Sequence, residues 1–294
     1  MPKLARVWIP FLAAVAVALA APARADHDMD SGGRALSRSE ADREIDRTTA
    51  LIQKGGSAQE SLSDAYNARS LARAALGLYD DAIDDYDAAI VFNSSEPIYY
   101  NNRGNALAHV KQCDAAVTDY TRALSLRPNY PIALNNRANC WMALGKPERA
   151  ELDYSLAVAF DPSYALAFYN RAFMFRRRGD LARAIGDYDT AIALRPDFEA
   201  AFLGRGQAFM QRGDYDSAIR DFTTALLINP TSHDAYHYRG RAFAEQGRRR
   251  SADEDFRAAI RLDPSDPEAR VDKWLNETGR FPYGRKYAPE RVEP

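Results

Sequence analysis

One spacing constrains this chain more than anything else in it: 34 residues. Pro128, Pro162, Pro196, Pro230 and Pro264 stand that far apart, and so do Tyr86, Tyr120, Tyr154, Tyr188, Phe222 and Phe256. Two alanine series keep the same step, Ala82 to Ala252 and Ala89 to Ala259, over six units with no slip. A fixed period of this length belongs to an array of supersecondary units, none of which can bury its apolar face alone.

Numbering each unit from 1 at residues 63, 97, 131, 165, 199 and 233 gives a common frame. Positions 2–14 lack internal proline and carry apolar residues at helical spacing. Position 15 is Gly in five units (Gly77, Gly145, Gly179, Gly213, Gly247), which suits the left-handed residue that ends a helix. A second helix is expected over positions 17–30, and proline at position 32 stops it. Position 8 is small (Ser70, Gly104, Ala138, Ala172, Gly206, Gly240), whereas position 24 is always aromatic. Position 11 is mostly bulky and position 20 is always Ala. Large faces small when the two positions sum to about 31 or 32, as in an antiparallel hairpin.

With these residues in place, the chain resembles the tetratricopeptide repeat family. The period matches, as do the small residue at 8, Ala at 20, the aromatic at 24, Ala at 27 and Pro at 32, over residues 63–266, about 70% of the chain. The resemblance implies an all-α, right-handed α-solenoid of about six 34-residue helix-turn-helix repeats: 63–96, 97–130, 131–164, 165–198, 199–232 and 233–266. Ser94 and Arg73 depart from the pattern, so an irregular first unit is expected, and Leu134 breaks the aromatic run at position 4. Capping helices are expected at both ends. Residues 38–54 carry Ile45, Leu51 and Ile52 at helical spacing before Gly55-Gly56. Residues 267–279 follow Asp266-Pro267, a cap and a first-turn proline. Residues 280–294 read as a loose tail.

The first 25 residues stand apart. Lys3 and Arg6 precede an apolar run from Val7 to Ala21 interrupted by Pro10, and Ala23-Arg24-Ala25 follows. This is the layout of a secretory signal peptide, with an uncleaved anchor helix as the other reading. Export, to a periplasm or the medium, is the expectation, with no membrane span after cleavage. Net charge is −2, which gives no field to attract nucleic acid.

No catalytic residues, cofactors or metal are expected. The four histidines form no cluster with cysteine. His233 and His237 share a helix face at the spacing of a two-histidine metal site, but no third ligand is evident. The glycines belong to turns and packing positions, so no phosphate loop remains, and no Ser, Thr or Cys sits in a nucleophile motif. Position 7 is Arg and position 23 is Asp in every unit (Arg69 with Asp85, through Arg239 with Asp255). These face each other across the hairpin as ion pairs, worth about 0–1 kcal/mol each if largely exposed.

In the resembled family the first helices line a concave groove through positions 2, 5, 6, 9, 12 and 13. Here that stripe holds Asn101, Asn102 and Asn105, then Asn135, Asn136 and Asn139, then Tyr169, Asn170, Phe173, Arg176 and Arg177, with Gln207 beyond. Asparagine is a poor choice mid-helix unless its side chain has a task. Its amide donates and accepts, and so can hold a peptide backbone without reading side chains. The alternative is that the asparagines cap one another. The cations of a carboxylate clamp are mostly missing from units two and three. The expected function is a non-enzymatic scaffold that binds a peptide segment of a protein partner. Against it stand a small-ligand accessory subunit of an envelope enzyme complex and a self-assembling structural protein. The two cysteines, Cys113 and Cys140, fall in adjacent units and are either a disulfide or two small buried hydrophobes.

Overall fold

The computed structural model describes residues 36–55 and 59–279. The segment read as an export signal and the tail 280–294 lie outside them. The described residues form fourteen helices and no strand. A first helix, α1 (Arg38–Gln53), precedes six hairpins: α2–α3 (Gln59–Ala75, Tyr79–Phe92), α4–α5 (Pro97–His109, Cys113–Leu126), α6–α7 (Pro131–Ala143, Pro147–Phe160), α8–α9 (Ala165–Arg177, Leu181–Leu194), α10–α11 (Glu199–Arg212, Tyr215–Ile228) and α12–α13 (His233–Glu245, Arg249–Leu262). A last helix, α14 (Pro267–Glu277), follows. Each hairpin packs on the next, and the result is the all-α solenoid that the period demands.

The hairpin closes where large meets small. A Cβ added to Gly104 would stand 2.7 Å from the Tyr120 ring, and one on Gly206 would stand 2.6 Å from Phe222. Both distances are below any real contact, so the aromatic edge occupies the place of the missing methyl. The alanines at positions 20 and 27 are fully buried, as are the rings at position 24, which are at most 2% exposed. Burying each ring contributes about 1.5–3 kcal/mol, repeated six times along the array. The turn glycines adopt φ of +69° to +82°. In the second unit Lys111 holds the same left-handed turn at φ +67°, so the hairpin geometry prevails over the residue's preference.

The first unit is regular. Arg73, in place of a bulky apolar residue, puts Nη1 2.7 Å from Asp85 and adds a second guanidinium to that carboxylate. The ends are capped as the local sequence dictates. Ser37 and Glu40 form a capping box at the start of α1, and Asp266 Oδ1 accepts from the Glu268 amide at 2.7 Å to start α14.

The first helices of neighbouring hairpins touch one another along the array, from α2·α4 to α12·α14, whereas the second helices show no such extended contact. The first helices therefore lie on the inner face of the stack. That places positions 5, 6, 9, 12 and 13 of each unit, where they are not buried, toward one continuous surface.

Candidate functional site

The Arg–Asp pairs set the frame on which the inner face is built. All six are two-pronged. Arg103 donates from Nε to Asp119 Oδ2 at 2.7 Å and from Nη2 to Oδ1 at 2.6 Å, and Arg239 reaches Asp255 at 2.7 and 2.8 Å. The aspartates are largely buried. Burial pushes the Asp221 and Asp255 carboxyls up, and the arginine facing each draws it back down. Arg205 and Arg239 are raised by their hydrogen bonds to those same aspartates. Desolvation thus works against the attraction, and the pairs act more as geometric pins than as a large source of stability.

The third arm of each guanidinium reaches out of its own hairpin. Arg103 Nη1 donates to Asp87, Arg137 to Thr121, Arg171 to Ser155, Arg205 to Asp189 and Arg239 to Thr223. Each acceptor is at position 25 of the preceding hairpin. Arg69, which has no preceding hairpin, reaches Thr49 of α1 instead.

On the inner face the asparagines of α4, α6 and α8 form a ladder. Asn101 donates to Asn102, Asn135 to Asn136, and Asn170 to Asn135 at 2.9 Å. Asn136 Nδ2 donates to Asn101 at 3.3 Å and to Asn105 at 2.9 Å. Asn101, Asn102, Asn135 and Asn136 are buried. Their amides are spent chiefly on one another across three hairpins, as buried polar groups require. What the ladder leaves open is narrower than the stripe of side chains. Asn105 Oδ1 also receives the Tyr120 hydroxyl at 2.8 Å, and Asn139 Oδ1 receives that of Tyr154. The Nδ2 groups of Asn102, Asn105 and Asn139 are left without a partner among the described residues. This half of the face presents donors.

Hairpins four and five are built differently. Position 9 there is Phe173 and Gln207, so the Tyr188 hydroxyl finds no asparagine. It is fully buried and turns instead to Arg176, whose guanidinium lies within reach of it. Burial pushes the Tyr188 phenol up, offset in part by the neighbouring Arg176. Tyr188 sits between Tyr169, at a ring separation of 5.9 Å, and Gly204 of the next hairpin, where an added Cβ would stand 2.6 Å from its hydroxyl. Tyr169 also packs on Phe198. The Arg176 and Arg177 guanidiniums lie 5.3 and 6.0 Å from the Phe173 ring centre, and Arg177 is exposed. Gln207 is half-buried and joins none of these bonds.

The sequence reading passed over Tyr188 as a packing residue. A signal was present. Where position 9 is Asn, position 24 is Tyr (Tyr120, Tyr154), and where position 9 is Gln or Arg, position 24 is Phe (Phe222, Phe256). Tyr188 opposite Phe173 keeps a hydroxyl, and the polar group beside it is Arg176 rather than an asparagine.

The histidine pair is structural. His237 Nε2 lies 2.9 Å from Asp272 Oδ2, and His233 Nε2 lies 2.9 Å from Asp266 Oδ2. Both contacts dock α14 on the last hairpin. Among the described residues no group of His, Cys, Asp and Glu is arranged to hold a metal ion, and no helix is long and apolar enough to cross a membrane.

Tetratricopeptide repeat family models match residues 101–165, 169–235 and 233–266, together more than half of the chain. No curated protein matches. Among solved structures, the Cut9–Hcn1 hetero-tetramer of the APC/C aligns with a TM-score of 0.69 at 14% identity, over 81% of this chain; this chain spans 46% of that one. PilW, described as a widely conserved type IV pilus biogenesis factor, aligns with a TM-score of 0.66 at 19% identity, covering 71% of this chain and 97% of its own. YrrB, described as a TPR protein with an unusual peptide-binding site, aligns with a TM-score of 0.54 at 23% identity, covering 65% and 98%. With the period, the hairpin geometry and the family match in agreement, the chain belongs to the tetratricopeptide repeat family, a fold whose stacked hairpins serve as a scaffold for protein–protein contacts.

Proposed function

We propose that this protein is a non-enzymatic scaffold that holds an extended, acidic peptide segment of a partner protein along its inner face. The observation that carries the reading is the cluster on α8 in which Arg176 and the exposed Arg177 flank the Phe173 ring. Arg176 and Arg177, flanking Phe173, supply charge and an aromatic surface for a carboxylate-bearing side chain. The free Nδ2 groups of Asn102, Asn105 and Asn139 continue the track with donors suited to backbone carbonyls. The described YrrB peptide site and the multi-protein setting of Cut9–Hcn1 are in keeping with this use of the fold.

Fluorescence anisotropy of the full chain with short extended peptides bearing Asp or Glu tests it. Arg176→Ala together with Arg177→Ala should weaken binding about tenfold or more, equivalent to roughly 1.4 kcal/mol, with the helical circular dichroism unchanged. Equal affinity of the variant and the parent protein for every peptide sinks the proposal.

In the same reading the protein works after export, in the periplasm or outside the cell. The support is the charged start, apolar run and small-residue site in residues 1–25. N-terminal sequencing of the exported protein should begin at Asp26.

A further inference from the structure

The two cysteines, the only ones in the chain, lie in adjacent hairpins. Cys113 is the first residue of α5 and partly exposed, whereas Cys140 lies within α6 and is buried. They meet in one apolar cluster with Leu107, Ala116 and Tyr120. The two thiols are near enough to share a hydrogen bond, and burial pushes the Cys140 thiol up. We propose that Cys113 and Cys140 form an intramolecular disulfide that staples the second hairpin to the third, directly behind the asparagine-bearing part of the inner face. Tyr120, in the same cluster, is the residue whose hydroxyl holds Asn105, so the staple fixes the spacing between hairpins on which the ladder depends.

The chemistry is a two-electron oxidation by thiol–disulfide exchange, with oxidised glutathione or a protein disulfide as oxidant. The accessible Cys113 thiolate attacks one sulfur of the oxidant and expels its other half as a thiolate. Cys140, losing its proton to solvent, then attacks Cys113 Sγ and expels the second thiolate. One S–S bond is formed and one broken, and the oxidant leaves as two thiols carrying both electrons. Closing a loop of this length across two rigid hairpins restricts the unfolded chain more than the folded one.

This inference is independent of the peptide-binding reading. The full chain is equilibrated with oxidised glutathione, denatured, alkylated and weighed as the intact protein. The expected result is no alkylated cysteine, a monomer two hydrogens lighter than the reduced form, and a Tm higher by roughly 5–10 °C. Cys113→Ser and Cys140→Ala should each abolish the Tm difference between oxidised and reduced protein. Two alkylated cysteines, stable glutathione adducts on either residue, or disulfide-linked dimers from the parent protein would each overturn the assignment.

Discussion

Hairpins two and three and hairpins four and five share one frame and use it in opposite ways. Both carry the two-pronged Arg–Asp pair at 2.6–2.9 Å, the small residue at position 8 and the buried ring at position 24. On the inner face, the first two hairpins consume their asparagines in a ladder and anchor Asn105 and Asn139 with tyrosine hydroxyls. In the next two, the buried Tyr188 phenol turns to Arg176 instead, beside the exposed Arg177. Their second helices differ as well. Asp180 and Asp214 cap α9 and α11, while α5 and α7 start with no side-chain cap. Within one array, a residue class at a groove position therefore says little about availability, because the hydrogen-bond account decides whether a polar side chain holds the stack together or remains open to a partner.

The largest test asks whether the frame is common to both halves. Arg137→Ala and Arg205→Ala each strand a buried aspartate and should cost about 3–5 kcal/mol in urea unfolding. A cost confined to one of the two would show that the frame is not shared. Next in size, Asn136→Ala removes both a donor and an acceptor from the ladder. It leaves Asn101 Oδ1 and Asn135 Nδ2 without the partners they have now, and should cost about 2–3 kcal/mol. Gln207→Ala, on the corresponding stripe of hairpin five, should change stability by less than about 0.5 kcal/mol. A third test compares the two phenols. Tyr154→Phe loses the bond to Asn139 and should destabilise by about 1 kcal/mol, whereas Tyr188→Phe takes a buried hydroxyl from beside Arg176 and should cost less. Destabilisation by Tyr188→Phe of the size seen for Tyr154→Phe would erase the distinction.

The smallest effect is in pH. Bonds from Ser217 hold the Asp214 carboxyl below its usual range, and bonds from Arg183 do the same for Asp180. A carboxyl with a depressed folded-state pKa contributes stability above its unfolded pKa of about 4 and loses it as pH falls toward the folded value. Both groups are solvent-accessible, so each contributes less than about 0.5 kcal/mol. Asp214→Asn still caps α11 but does not titrate there. The variant should lose slightly less stability than the parent between pH 5 and 3, as measured by thermal melts.

The frame could be read from sequence because each of its rules is written six times. Position 8 against position 24, and position 7 against position 23, follow from antiparallel pairing within one hairpin. The ladder could not be read in this way. Asn136 reaches back 35 residues to Asn101 and 31 to Asn105. Neither offset is the period, and both are set by the tilt and shift between neighbouring hairpins. The stripe read from sequence lies along the inner face, while the free atoms on it are fewer than the asparagines suggested. Tyr188 stayed hidden for the opposite reason, since its position is so regular that its hydroxyl drew no attention. Position 25 shows no rule in the sequence because it varies among Asp, Thr and Ser, yet all of these accept the same arginine arm.

That arm has a mechanical consequence. From the second hairpin on, each guanidinium grips its own hairpin with two nitrogens and the preceding one with the third, so a load on one hairpin is carried straight to its neighbour. Pulled from its ends, the array behaves less like beads on a string than like a linked chain, in which opening one unit also loosens the grip on the unit before it. Under force, extension should therefore advance in runs of coupled hairpins, and the grip is strongest at the seams where the neighbour offers a carboxylate, Asp87 and Asp189, and weakest where it offers a hydroxyl.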